Sequence, residues 1–414
     1  MKSLDDWFRI IVLITGSIVA LVLAFASMSY LDLLFLDPTW LLVSLYISNC
    51  MHQLGHVVAG WLVGFPTKKI IIGMWKNIWR GHIHGTSTDL VINLGFTGFT
   101  IIGDVLKQDW IRIRYFVYFF GGIGIQCLFV LLGLQIKQTY MFFDLFVVPP
   151  VVLNSFISAN IGLIFGELLP LQSQTNLGGG IMQTDGMRLL KVFFMGEKEI
   201  TEFLITGQQV DGMDNLQAKN FPAAEQNFRE CLDRAPKSIF SHINLSVALC
   251  KQQRIDEAIA VLLEGLTHSP KKGELTLIYN NLAWYYLLKA TSDRQYLERA
   301  DDYSSQAIAI NKSNLVILGT RGCVLVETGR LESGIETLKK ITKLNQPISE
   351  PTNSVISFLY LAYGYYRQMD WSNSLKYWRK IQENEDLTNF GEYPMIYEYI
   401  LNQTNGFQKL YEMG

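Results

Sequence analysis

The sequence predicts a mainly α chain in two halves. Residues 1–190 read as a polytopic membrane helical domain with a small strand-rich insert, and residues 209–400 as an α-solenoid of two-helix repeats. Three observations carry this. The first half holds apolar runs of about 20 residues, the length a helix needs to cross a bilayer. Residues 68–104, between two of those runs, are rich in Ile, Val, Thr and Phe and broken by Gly73, Gly81, Gly85, Gly95, Gly98 and Gly103. From residue 205 onward the chain is polar, charged and periodic, with a spacing of about 34 residues. Residues 191–208 read as a linker and 401–414 as a C-terminal tail.

Four runs have the length and apolarity of membrane spans: 8–28, 40–63, 114–134 and 148–169. The first has features of a cleavable leader, with Lys2 and Arg9 around its start and Ala24-Phe25-Ala26 near its end. Asp5 and Asp6 at its start, and its length, favour a retained span. Segment 140–147 is apolar but short and is expected at the interface before the fourth span. The loop between the first two spans carries Asp32 and Asp37 and no basic residue. The segment between the second and third carries Lys68, Lys69, Lys76, Arg80, Lys107 and Arg112. Basic loops stay on the cytoplasmic side, so an integral membrane protein with both termini cytoplasmic is expected.

Composition sets outer limits. Hydrophobic residues make up 49% of the chain and charged residues 17%, which leans towards a membrane protein. A net charge of -2, with no basic tract, argues against nucleic acid as a partner. Cys50, Cys127, Cys231, Cys250 and Cys323 are scattered without a C-x-x-C pair, so neither a disulfide framework nor a thiolate zinc site is indicated.

The insert, with its β-branched runs and glycines, reads as short strands and turns. His82 and His84 alternate along one stretch and would share a strand face; a solvated turn is the expected role.

Inside the second span stand His52, Gln53 and His56. Polar groups within an apolar helix are costly and mark function. Histidines four apart project from one helix face, and two neutral imidazoles so placed can chelate one zinc ion; the alternative is a pair of interhelical hydrogen bonds. A catalytic zinc site wants a third protein ligand. After the fourth span come Gly166-Glu167-Leu168-Leu169-Pro170, a glycine-rich loop with Gly178, Gly179 and Gly180, and Thr184-Asp185-Gly186. Alone, an Asp-Gly pair is a turn.

Taken together, these segments resemble the site-2 protease family of intramembrane zinc metalloproteases. That family carries H-E-x-x-H on one membrane helix and, on a later one, an N-x-x-P segment followed by an Asp-Gly pair. His52-Gln53-Leu54-Gly55-His56 matches at all but the second position. Leu168-Leu169-Pro170 matches the proline segment, and Asp185-Gly186 the ligand pair. The order also fits: histidine helix, strand-rich loop, a span bearing Gly121, Gly122 and Gly124, then the proline span. The likeness covers roughly residues 40–190. It implies zinc held by His52, His56 and Asp185, and hydrolysis of peptide bonds in transmembrane or membrane-associated protein substrates.

Two positions depart from that family. The residue after the first histidine is Gln53 rather than the glutamate that takes a proton from the attacking water, and an amide cannot accept it. Losing a general base costs about 10²–10⁴-fold in rate. Gln53 fits either a natural loss or an introduced inactivating change. The second departure is Glu167, where the family has asparagine. It reads as a relocated base, a protonated membrane carboxylate or a partner for Arg188. Asn160, two turns earlier, would line the cleft or tie helices together.

The second half matches tetratricopeptide spacing in five successive units. Gly212, Phe221, Ala224, Phe228 and Pro236 mark the first, and Leu245, Ile255, Ala258, Leu262 and Pro270 the second. Ala283, Tyr286, Ala300 and Ala307 mark a third, stretched by an insertion near 290–295. Gly322, Leu325, Gly334 and Leu338 mark the fourth, and Ala362, Tyr365, Trp371, Ser374 and Trp378 the fifth. These residues are expected to pack. The stacked units offer a surface for a cytosolic protein or peptide. His242 and His268 read as isolated. Function thus divides between a metalloprotease-like membrane protein with impaired catalysis, a non-catalytic adaptor gripping a membrane helix and a cytosolic partner, and an anchored scaffold. Retention of all three ligand positions argues against the last.

Overall fold

A computed structural model describes residues 37–73, 76–84, 86, 88–95, 97–103, 105, 109–143, 149–169, 172–174, 181–342, 351–382 and 393–407. The sequence-predicted span 8–28 lies outside these, as do Pro170 and the 178–180 glycines. The chain divides into two compact units, Met1–Gln208 and Gln209–Gly414.

In the first unit, α1 (Pro38–Val63) starts where the Asp37 carboxylate accepts from the Thr39 and Trp40 amides at 2.7 and 3.2 Å. Pro38 needs no amide partner in the first turn. The helix ends at Gly64, whose φ of 71° is the left-handed conformation glycine adopts without cost. Its burial pattern is inverted relative to a water-soluble helix. Ser44, Ser48, Asn49, His52, Gln53 and His56 face inward, while Leu42, Ile47, Leu54, Val58, Trp61 and Leu62 are exposed.

Strands β1 (Thr67–Ile72), β2 (Asn77–His82), β3 (Asp89–Asn93) and β4 (Gly98–Ile102) form one sheet in the order β2-β3-β1-β4. β1 runs parallel to β3, with Ile70 opposite Leu90, and antiparallel to β4, with Ile70 opposite Thr100. β1 and β4 lie against α1. The strand-rich insert is therefore a single mixed sheet. His82 ends β2, exposed and paired with Asp89, while His84 lies beyond it in a turn, so the two share no strand face.

α2 (Ile111–Phe143) and α3 (Pro150–Leu168) pack on α1. α2 runs well past residue 134, so the start of the expected interfacial segment continues the helix. Tyr115, Tyr118, Phe119 and Ile123 from α2 and Leu153, Ile157, Ile161 and Ile164 from α3 build the apolar core. Ile111–Thr139 and Pro150–Leu168 are long and apolar enough to cross a membrane. A buried helix of a soluble protein passes that same test. α1, predicted as a span, falls short of that apolarity among the described helices, because its inward stripe is polar.

A short hairpin of β5 (Gln172–Gln174) and β6 (Ile181–Gln183) returns the chain to the end of α3. α4 (Asp185–Val192) and α5 (Glu197–Leu204) follow. Leu189, Val192 and Leu204 join the core, so residues 191–204, expected as a linker, are part of this unit's packing.

The second unit is a run of antiparallel helix pairs. α6 (Thr206–Gln217), which begins just before the unit boundary, pairs with α7 (Phe221–Arg234), and α8 (Ile239–Lys251) with α9 (Ile255–Leu266). α10 (Lys272–Ala290) pairs with α11 (Leu297–Ile310), α12 (Leu315–Glu327) with α13 (Leu331–Ile341), and α14 (Pro351–Arg367) with α15 (Trp371–Gln382). α16 (Tyr393–Thr404) packs on α14 and carries helix past residue 400. The insertion near 290–295 is a lengthened α10 and a 3₁₀ turn, Arg294–Tyr296.

The expected small residues sit where helices cross. Ala224, Ala258, Ala283, Ala300, Ala307 and Ala362 are fully buried. A Cβ on Gly212 would come within 2.5 Å of the Phe228 ring, and one on Gly322 within 2.6 Å of Leu338. The region consists of TPR-like helical repeats.

Candidate metal centre

The inward stripe of α1 presents two imidazoles one turn apart. Their Nε2 atoms lie 3.1 Å from each other. The carboxylate of Asp185 completes the group: its Oδ2 is 3.1 Å from His52 Nε2 and 2.9 Å from His56 Nε2. All three side chains are buried. The structure thus brings together all three sequence-predicted ligands, one of them from the far end of the unit.

Asp185 is delivered by its neighbours. Thr184 caps α4 by accepting from the Met187 amide at 3.4 Å, and its hydroxyl donates to the Leu169 carbonyl at 2.5 Å. Gly186 lies so close to the end of α3 that a Cβ would be 2.2 Å from the Leu168 carbonyl oxygen. The Asp-Gly pair is therefore more than a turn: glycine lets the first residue of α4 abut α3, and that contact aims the carboxylate at α1.

α2 closes the other side. Gly55 and Gly121 meet backbone to backbone, since a Cβ on Gly55 would lie 2.4 Å from the Gly121 carbonyl oxygen. Gly122 faces the imidazoles directly. A Cβ there would sit 2.5 Å from His52 Cε1 and 2.7 Å from both Nε2 atoms. The sequence shows a glycine-bearing span, but its role as the wall of the site is visible only in the fold.

Further contacts fix the tautomer of His56. Its Nδ1 lies 2.9 Å from the Tyr118 carbonyl oxygen. A carbonyl only accepts, so Nδ1 carries the proton and Nε2 of the neutral ring offers its lone pair inward, as in metal-ligating histidines. Neither this carbonyl nor the hydroxyl of Thr100 discussed below can be picked out from sequence, because backbone acceptors leave no residue signature and one threonine among several carries no mark. Gln126 on α2 is wholly buried and its side-chain amide faces His52, although neither its amide atoms nor His52 Nδ1 make a hydrogen bond of good geometry among the described residues.

The donor set fits a divalent cation of zinc type. Zinc takes imidazole nitrogen and carboxylate oxygen at about 2.0–2.2 Å, and tetrahedral ligands at that radius are roughly 3.3 Å apart. The three donor atoms lie within a few tenths of an ångström of that spacing. Oδ2 of Asp185 has no hydrogen bond of good geometry despite two close nitrogens. Three donors aimed at a shared centre, with Gly122 leaving that centre clear, is what a cation would require.

Gln53 and Glu167 flank the ligands differently. Gln53 is buried, and its Oε1 accepts from the Thr100 hydroxyl on β4 at 2.9 Å. Glu167 Oε2 accepts from the Asp185 amide at 3.3 Å, which places its carboxylate at the start of α4. Arg188 does not pair with it; its guanidinium lies over the Phe119 ring at 4.8 Å. Asn160 is buried; its Nδ2 donates to the Phe156 carbonyl in its own helix at 2.8 Å, and its Oδ1 has no hydrogen-bond partner among the described residues.

No family model matches the chain, and no curated protein matches it. Solved structures do. A thermophilic TPR protein of Thermus thermophilus aligns at 17% identity and a TM-score of 0.36, covering 47% of this chain and 96% of that one. The pilF protein of Pseudomonas aeruginosa aligns at 14% identity and 0.35, covering 52% and 90%. YrrB, a TPR protein described as having an unusual peptide-binding site, aligns at 11% identity and 0.31, covering 43% and 87%.

Proposed function

We propose that this protein is a membrane-embedded relative of the site-2-type zinc metalloproteases whose own proteolysis is impaired. The observation that carries the reading is the meeting of Asp185 with His52 and His56 at ligand spacing, all three buried, with Gly122 packed against the two imidazoles. The inverted burial of α1 supports a membrane setting. Its large apolar side chains face outward and its polar ones inward, the arrangement a helix takes in lipid. Exposed Leu128, Leu131, Leu132 and Ile136 on α2 continue that apolar surface. On the charge rule for loops, both termini are cytoplasmic.

In this reading His52, His56 and Asp185 hold the ion, and Tyr118 orients His56 through its carbonyl. A bound zinc ion supplies Lewis-acid polarisation of a peptide carbonyl and acidifies water. Gln53 cannot take the proton that the family glutamate takes; its carboxamide is occupied by Thr100. Glu167 is the candidate to accept a proton in its place, since its carboxylate already reaches the backbone of the third ligand.

The second reading is a non-catalytic adaptor, favoured by Gln53 itself. There the protease-like unit grips a transmembrane helix, and the TPR-like repeats bind a cytosolic protein or peptide. Both readings give the repeats a partner-binding role.

One comparison separates them. The purified chain in detergent and its Gln53→Glu variant are analysed for zinc and for cleavage of a panel of single-span membrane peptides. Zinc in both, lost in His52→Ala, is expected. Cleavage that rises about 10²–10⁴-fold with glutamate restores the base and supports a protease frame. Zinc without cleavage in either form favours the adaptor. Absence of zinc at these three residues refutes the metal centre.

A further inference from the structure

A second set of ligand-type side chains stands in the repeat unit. His242 and His268 are far apart in sequence, but the fold brings them together. His242 lies in the first turn of α8, Glu264 in the last turn of α9, and His268 just beyond α9. One donor atom from each falls within 4.8 Å of the other two. The two rings have centroids 5.4 Å apart at 52°.

The surroundings favour a ligand. His242 is buried, and its Nδ1 is 2.8 Å from the Ser238 carbonyl oxygen. That oxygen only accepts, so Nδ1 holds the proton and Nε2 carries the free lone pair. Nε2 of His268 is buried with no hydrogen-bond partner among the described residues, and an unpaired buried polar atom is costly. Gly265 sits beside Glu264 at the crossing. A Cβ there would come within 3.1 Å of the Cβ of His242, so glycine allows α9 to approach. The three donors stand at the open end of the α8–α9 hairpin, opposite its connecting turn.

We propose that His242, Glu264 and His268 form a binding site for a divalent transition-metal cation of zinc type, which staples the open end of this hairpin. Two imidazoles and one carboxylate are the donor set that suits zinc or cobalt(II) rather than calcium or magnesium. Glu264 is exposed, which leaves a fourth position to water or to a side chain of a partner. The site shares no ligand with the one on α1.

The test uses the full chain in detergent, loaded with cobalt(II) or zinc(II) and desalted. Metal per chain is counted in the parent, in His268→Ala and in Glu264→Gln, with His52→Ala run in parallel to account for the other site. The expected result is a loss of one equivalent in His268→Ala, at least a tenfold weaker second equivalent in Glu264→Gln, and loss of a ligand-field absorption band with cobalt(II). Glu264 is exposed, so its variant folds even where replacement of a histidine perturbs the hairpin. A metal count unchanged by both substitutions overturns the proposal, whatever that count is.

Discussion

Substituting alanine for Gly122 tests the candidate centre without removing a single ligand. The added Cβ would stand 2.5 Å from His52 Cε1 and 2.7 Å from the Nε2 of each histidine. Carbon atoms pack best at about 3.5–4.0 Å, so the imidazoles must retreat by roughly 1 Å. Metal–ligand distances tolerate only about ±0.2 Å, and a displacement of that size should cut zinc affinity at least a hundredfold. Overpacking of this kind also costs about 1–3 kcal/mol of stability. Gly124→Ala is the matched control on the same helix, since its Cβ would meet the Phe120 ring at an ordinary 3.5 Å. Zinc titration of the two variants in detergent, with helicity followed in parallel, gives the answer. A Gly122→Ala protein that binds zinc as tightly as the Gly124→Ala protein would show that the space before the histidines is not a metal cradle.

Other outcomes follow from the same geometry. Gly186→Ala places a Cβ 2.2 Å from the Leu168 carbonyl oxygen; it should displace Asp185 and lower zinc binding as much as Asp185→Asn does, read by metal analysis. Glu167→Gln should leave zinc bound while abolishing any cleavage that the parent retains; equal cleavage in both would exclude it as the base. In the repeats, Phe228→Ala removes a fully buried ring and should cost about 3–5 kcal/mol, measured by denaturant unfolding. Asp301 provides a pH test. Burial raises its carboxyl, but Arg330 and Arg321 hold it below its ordinary value. A depressed folded value means the stabilisation is present above the unfolded value of about 4 and is lost as pH falls through the folded one. The acid unfolding limb should therefore flatten in Arg321→Ala.

Much of this is legible in the chain, and the reasons differ by region. The repeats announce themselves because each crossing demands a small residue at a fixed place, so Ala224, Ala258 and Gly322 recur with the period of the fold. The candidate histidines stand out because two histidines one helical turn apart within an apolar run have few structural uses. What stays hidden depends on contacts between distant segments. Gly122 is one of three glycines close together on α2, and nothing local distinguishes it. The pairing of His242 with His268 requires knowing that α9 folds back along α8; without that, both look isolated. Alternation alone puts His84 on a strand, whereas the ladder between β2 and β3 stops at His82 opposite Asp89. By run length α1 looks like a plain span, while its buried stripe of Ser44, Ser48 and Asn49 gives it a polar interior that such a run conceals.

Asp185 reaches the histidines only after α2, α3 and the β5–β6 hairpin have taken their places. During synthesis, the imidazoles of α1 therefore emerge long before the carboxylate that completes them. Until then they are an incomplete set with little hold on a cation. On the proposed metal centre, the closed group ties α1 to the far end of its unit, so a chelator should loosen the whole first unit rather than one loop. On that proposal, metal occupancy becomes a report on whether biosynthesis of the first unit has finished correctly.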